Sequence, residues 1–155
     1  MTRKIDQERG NAAQLDLLRA PGHLLRRNHQ RSQDIFSKLV GEDITRQQIA
    51  LLIALSDRPG ASQNDLVAAT GIDKSTLKEM LGRMIKRGWV SRERDPRDNR
   101  AWTMHVTPDG AALLAERIDR VVDVQREILA PLPEHMRGDF IRALRILIGL
   151  EQPPA

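Results

Sequence analysis

Residues 62–106 read SQNDLVAATGIDKSTLKEMLGRMIKRGWVSRERDPRDNRAWTMHV, and the order of periodicities within them decides the fold. Ser62-Gln-Asn-Asp65 sets a hydroxyl three residues before a carboxylate, an acidic variant of the capping box, and opens a short helix that Thr70-Gly71 stops. Asp73 then caps a second helix, in which Leu77, Met80, Leu81, Met84 and Ile85 recur at spacings of three, four, seven and eight. Opposite that apolar stripe lie Lys74, Ser75, Lys78, Glu79 and Gly82. A short helix, a tight turn containing Gly71 and a longer helix have the length and punctuation of a helix-turn-helix. After Gly88 the pattern changes. Trp89–Arg94 and Ala101–Val106 read as two short strands, and the turn-rich Asp95-Pro-Arg-Asp-Asn-Arg100 joins them into a hairpin with a basic tip.

Outward from this stretch the chain reads as helix. Thr45-Arg-Gln-Gln48 is a capping box followed by Ile49, Leu51, Leu52, Ile53 and Leu55, apolar almost all round, so this helix is expected at the buried centre of a lobe. Before it, a helix over about 22–40 carries a broken stripe of Leu24, Leu25, Asn28, Ser32, Ile35, Phe36, Leu39 and Val40, polar in its middle. An apolar cluster at Leu15, Leu17 and Leu18 precedes it and ends at Pro21-Gly22, a helix-breaking dipeptide. Downstream, Thr107-Pro108 supplies a cap and a proline at the first helical position for a long helix to about Ala130. Pro131-Leu-Pro133 separates it from a last helix over about 134–149. Phe140, Ile141, Leu144, Ile146, Leu147, Ile148 and Leu150 are more apolar side chains than one lightly buried face accommodates, which points to an interface with a second copy, the alternative being a monomer whose last helix packs on its own first helix. The expected architecture is mainly α: a winged helix-turn-helix lobe over 45–106 with a two-stranded hairpin wing, and a helical dimerisation lobe from residues 1–44 and 107–155.

Composition bounds the function. The 155 residues are 40% apolar and 30% charged, a globular balance, and aromatics at 3% leave the core to aliphatic side chains and Met. With no cysteine there is no disulfide, thiolate metal site or thiol nucleophile. No run approaches the roughly 18 apolar residues of a membrane span and no export signal is visible, so a soluble, cytoplasmic protein is expected. Neither a Gly-X-Ser-X-Gly elbow, a His-Glu-X-X-His helix, a P-loop nor a Gly-X-Gly-X-X-Gly turn is present, and the carboxylates are scattered as caps and surface pairs, so no enzyme is expected. Charge is the informative quantity. Residues 74–100 hold nine basic side chains against four acidic, a net +5, while the whole chain carries +4. A basic segment in an otherwise balanced chain is a footprint for a polyanion.

Duplex DNA fits that footprint. The helix over 73–87 can enter the major groove, where Lys74, Ser75, Thr76 and Lys78 would meet base edges or phosphates and Gly82 leaves room for close approach. The hairpin, with Arg94, Arg97 and Arg100, would reach the neighbouring minor groove, whose negative potential attracts a flat, weakly hydrated guanidinium. Asp98 is expected to hold Arg100 in one rotamer through a paired hydrogen bond. The segments Leu66-Val-Ala-Ala-Thr-Gly-Ile-Asp-Lys-Ser-Thr-Leu77 and Asp95-Pro-Arg-Asp-Asn-Arg100, followed by Val106-Thr-Pro-Asp-Gly110, resemble the MarR family of winged-helix transcriptional regulators. The resemblance covers about residues 20–149, and its most specific part is Asp98 and Arg100 followed by Thr107 and Gly110. The chain has Asn99 where the family commonly has Arg, and Arg97 can make up the lost phosphate contact.

That resemblance implies an obligate homodimer with interlocked terminal helices on a palindromic operator, its half-sites roughly 34 Å apart. It also implies release of the DNA by a small molecule, often an aromatic acid. Pro21-Gly-His-Leu-Leu-Arg-Arg-Asn-His-Gln30 is similar to the corresponding segment of regulators of aromatic-compound degradation, some sensing the free acid and others its coenzyme A thioester. The ligand residues implied are His23, Arg26, Arg27, His29, Gln30 and Arg46. An arginine beside Leu24, Leu25 and Ile49 can hold a carboxylate or phosphate while the leucines cover a ring. Arg26 and Arg27 also suit salt bridges, Arg27 the more so. His23 and His29 are six apart, off one helical face, so no metal or other cofactor is expected. Trp89 and Trp102 are expected to brace the hairpin, although Trp102 could line a cavity, and His105 to pack or meet the DNA backbone. A non-specific architectural DNA binder and a protein-binding winged helix remain as alternatives.

Overall fold

The computed structural model describes residues 16–153. Leu15 and the rest of the first 15 residues of the expected N-terminal segment lie outside the described residues. After one 3-10 turn at Leu17–Arg19 come α1 (Pro21–Leu39), α2 (Arg46–Asp57), α3 (Gln63–Thr70), α4 (Lys74–Lys86), β1 (Val90–Arg94), β2 (Trp102–Val106), α5 (Pro108–Leu129) and α6 (Glu134–Leu147). The protein is mainly helical, with one antiparallel two-stranded sheet among the described residues. The 3-10 turn ends before Pro21, as expected, and Pro21 itself opens α1, because a first-turn residue has no intrahelical acceptor for the N–H that proline lacks. Helix α6 stops at Leu147, two residues before the expected end. Gly149 there adopts a left-handed φ of 75°, and the Leu150 N–H folds back to the Arg145 carbonyl at 2.8 Å.

The described chain forms two compact units, residues 36–125 and the two termini, up to residue 35 and from 126. Helices α1 and α5 each begin in one and end in the other. The 36–125 unit has a closed aliphatic core. Leu51, Leu52 and Leu55 of α2 are at most 1% exposed and meet Leu66 of α3, Leu77, Leu81 and Met84 of α4, and Val90 and Met104 of the wing strands in the buried interior. Each such side chain contributes about 1.5–3 kcal/mol. The expectation that α2 forms the buried centre is met.

Local caps fix where the helices start. Thr45 accepts the Gln48 N–H at 3.2 Å while Gln48 returns a bond to the Thr45 N–H at 2.9 Å, and Ser62 with Asp65 repeats the exchange. Gly71, with φ 69°, ends α3 and turns the chain into α4. The wing is attached on both sides. Its strands pair with Val90 opposite Val106 and Arg94 opposite Trp102, and Met104 also exchanges backbone bonds with the Gly60-Ala61 turn. Helix α5 is locked beneath β1, where Thr107 Oγ1 donates to the Gly88 carbonyl and accepts the Gly110 N–H. A Cβ on Gly110 would fall 2.1 Å from the Trp89 carbonyl oxygen, so only glycine permits this approach.

Candidate nucleic-acid interface

Helix α4 presents its two faces as the periodicity requires. Leu77, Met80, Leu81 and Met84 are buried, whereas Lys74, Ser75, Lys78, Glu79, Gly82, Arg83 and Lys86 are exposed and Thr76 is half-buried. Asp73 caps the helix, its Oδ1 accepting the Thr76 N–H at 3.0 Å and the Ser75 hydroxyl at 2.8 Å. Those bonds hold the Asp73 carboxyl down at about 2. They also spend the Ser75 proton, so Ser75 can offer an incoming group only its oxygen lone pairs. Glu79 lies among the cations, 3.9 Å from Arg83 one turn on. An ideal Cβ at Gly82 would touch nothing within 4 Å, so packing within the chain does not require a glycine there.

The wing tip is built from two aspartate turns. Asp95 accepts the Arg97 N–H at 2.8 Å and Asp98 accepts the Arg100 N–H at 2.9 Å. This corrects the expectation for Asp98. Its carboxylate orders the backbone at Arg100 and forms no ion pair with that guanidinium, because the two-residue separation brings the amide within reach first. The Arg97 side chain, loosely paired to Asp95 at 3.7 Å, is 92% exposed and free to reach outward. Arg94 is engaged inside the wing, donating to the Asn99 carbonyl at 2.6 Å and lying 4.2 Å from the Trp102 ring centroid. Arg92, not singled out from the sequence, lies 4.6 Å from the same ring. Trp89 carries Arg87 at 4.8 Å, so both tryptophans brace basic side chains. His105 packs against Gly60 and meets Thr103 Oγ1 at 3.2 Å.

The residues implied as ligand-binding fall in two places. His23, Arg26, Arg27 and Gln30 follow one another at spacings that place them on one side of α1, with His29 off that stripe. All but half-buried His23 are exposed, and Gln30 donates to Asp34 at 2.9 Å. Arg46 begins α2 in the other unit. Its guanidinium carbon lies 5.7 Å from the Phe36 ring centroid, and its Nε and Nη2 are buried without a hydrogen-bond partner. Burial lowers its pKa from the usual value. Phe36 appeared in the sequence only as part of a helical stripe, and nothing short of the folded chain would have placed its ring beneath Arg46. Among the described residues no group of three or more His, Asp or Glu could hold a metal, and no helix is long and apolar enough to cross a membrane.

A helix-turn-helix with an exposed cationic second helix, followed by a braced basic hairpin, defines a winged-helix protein of the nucleic-acid-binding class. Residues 42–101 match the MarR family. The transcriptional repressor NicR of Pseudomonas putida is 34% identical over 138 residues, 88% of this chain and 87% of that protein, and the regulator HosA of Escherichia coli O111:H- is 38% identical over 107 residues, 69% and 79% of the two chains. Among solved structures, Bordetella bronchiseptica BpsR, described with regulation of its DNA binding by 6-hydroxynicotinic acid, superposes with a TM-score of 0.84 at 30% identity, covering 88% of this chain and 99% of that one. Streptomyces coelicolor PcaV in complex with its natural ligand gives 0.83 at 31%, with 88% and 98% coverage. A mutant of Escherichia coli MarR complexed with operator DNA gives 0.71 at 25%, with 85% and 93% coverage. The chain belongs to the MarR family of transcriptional regulators.

Proposed function

We propose that the protein is a homodimeric repressor that holds a palindromic double-stranded DNA operator and releases it when an aromatic carboxylic acid or its coenzyme A thioester binds. It acts by binding alone, with no catalytic step. Residues 45–106 form the DNA-binding lobe, and residues 1–44 and 107–155 supply the dimerisation helices. Lys74, Ser75, Thr76 and Lys78 serve the major groove, and Arg94, Arg97 and Arg100 the wing contacts, with Asp98 shaping the tip. NicR is named a repressor and BpsR is described with an aromatic acid, which favours the same mode here.

The observation that carries ligand release is Arg46. Arg46 is half-buried, with two shielded nitrogens unspent and a phenyl ring 5.7 Å away, and an unsatisfied buried donor costs about 1–3 kcal/mol until an acceptor arrives. A carboxylate supplies the missing acceptors in a bidentate geometry, and an aromatic body suits Phe36. His23, Arg26, Arg27, His29 and Gln30 of α1 stay as proposed ligand-binding residues on the strength of the family resemblance alone. Binding shifts the population toward a dimer whose recognition helices no longer match successive grooves, and operator affinity falls by the differential binding energy.

The test is binding to a duplex from upstream of the protein's own gene, compared with shuffled DNA. With six to ten phosphate contacts per dimer, affinity is expected to drop about 10³–10⁵-fold between 50 and 200 mM salt, and the authentic site to win by orders of magnitude. Aromatic acids and their coenzyme A thioesters are then titrated against that complex. Arg46→Gln is expected to keep DNA affinity and blunt the response at least tenfold. An unchanged titration removes Arg46 from the ligand site, and equal binding to both duplexes leaves an architectural DNA binder.

A further inference from the structure

The strand that leads into the wing carries two arginines against one indole ring. In the antiparallel register Arg94 faces Trp102 and Arg92 faces Met104, so Arg92, Arg94 and Trp102 share one side of the hairpin. Both guanidiniums lie against one indole, at 4.6 and 4.2 Å from its centroid. The ring's negative face attracts each cation, yet it also brings two like charges together. No carboxylate offsets them. Glu93 alternates to the other side of the strand, where it lies 3.9 Å from His105; Asp95 pairs with Arg97 at 3.7 Å; Asp98 binds the Arg100 amide. Among the described residues neither Arg92 nor Arg94 makes an ion pair, and only Arg94 spends a donor, on the Asn99 carbonyl.

We propose that Arg92 and Arg94, stacked on Trp102, form a fork that grips a DNA backbone phosphate on the flank of the wing, separate from the recognition helix and the wing tip. This rests on the reading of the protein as a DNA-binding regulator. Stacking engages the flat face of a guanidinium and leaves its N–H edge for a phosphate oxygen, and two edges held by one ring supply more donors than one side chain can. The ring also removes rotamer freedom before binding, so less entropy is lost when the phosphate arrives. The site is an exposed strand surface, where a free small anion is screened by salt. A polyanion gains there by releasing its condensed counterions. Trp102 is the positioning residue, and the contact carries no base sequence.

The experiment uses the full chain with a duplex it selects from a random pool, a shuffled duplex of equal length, and inorganic phosphate. Arg92→Gln is expected to weaken binding about tenfold on both duplexes and to lower the slope of log K against log[salt] by about 0.9 per lost contact, close to two in a symmetric dimer. Trp102→Leu frees the arginines without removing charge, so affinity falls while most of the slope remains. In a Trp89→Phe background, saturating DNA is expected to change the Trp102 emission, and millimolar phosphate to leave it unchanged. An unaltered slope for Arg92→Gln, with Trp102 emission indifferent to DNA, overturns the fork while leaving the regulator reading intact. A loss confined to the selected duplex assigns Arg92 to base reading, and an equal response to phosphate assigns a free-anion site; either overturns the proposal. Failure of the parent protein to bind any duplex refutes the DNA-binding reading itself.

Discussion

The 36–125 unit and the unit of the two termini bury their apolar side chains very differently. In the first, Leu51, Leu52 and Leu55 of α2 and Leu77, Leu81 and Met84 of α4 are buried, and the cations of α4 stay outside. In the second, α6 has no buried residue at all; Met136, Ile141, Leu147, Ile148 and Leu150 are exposed, Leu147 by 71%. Single exposed apolar side chains are ordinary, whereas a run of them along one helix and its C-terminal turn suits the interface of the proposed dimer. The polar contacts differ in the same sense. Arg31 donates to the Glu127 and Ile128 carbonyls at 2.9 Å each, capping the end of α5 with charge, and Arg142 and Arg145 share Glu151 at 2.9 and 3.2 Å. The terminal unit is therefore held by helix-end bonds and surface pairs, and the other by a packed interior. Among the described residues the first unit has a closed apolar core, and the second leaves apolar side chains that the proposed dimer would cover.

The most damaging change to that contrast places charge on the exposed apolar helix. Ile141→Asp combined with Leu147→Asp is expected to give a monomer by analytical ultracentrifugation and to lower operator affinity at least a hundredfold, while the 36–125 unit keeps its fold. A dimer that survives both substitutions breaks the comparison. Next in size, Leu77→Ala empties a fully buried site in the 36–125 unit and should cost about 2–5 kcal/mol in a denaturant titration, with little effect on self-association.

The smallest effects sharpen the picture within α4. Gly82→Ala should stabilise the protein by about 0.5–1 kcal/mol, because Ala is the better helix former and nothing in the chain opposes its methyl group. The same substitution should weaken DNA binding if the groove approaches that face closely. The Asp73 cap has a pH signature. Its carboxyl is held down at about 2, below the usual 3.8, so its contribution is complete above the ordinary carboxylate range and is lost as pH falls from about 4 through 2. Asp73→Asn keeps a capping oxygen without the charge and should flatten that acid limb in melts recorded against pH.

Much of the fold was legible because its signals are local. The capping boxes at Thr45 and Ser62, the turn at Gly71 and the change of period after Gly88 each involve residues within a few positions of one another, so their physics needs no knowledge of the rest. The basic character of α4 and the wing followed from charge counting. Other features depended on partners far away in the chain. Spacing alone does not distinguish the amide of Arg100 from its guanidinium as the partner of Asp98, and the folded hairpin selects the amide. Arg92 passed as one charge among nine until strand register set it beside Trp102.

Element order, helix caps, the hairpin and the cationic face of the recognition helix were determined by the sequence by itself, through short-range hydrogen bonding and periodicity. The tertiary structure alone decided which arginines lie against an aromatic ring, why position 110 must be glycine, and that half-buried Arg46 lies by Phe36 with two shielded nitrogens unspent. Those outcomes turn on desolvation and on approach distances between segments tens of residues apart. Neither quantity exists until the chain has packed.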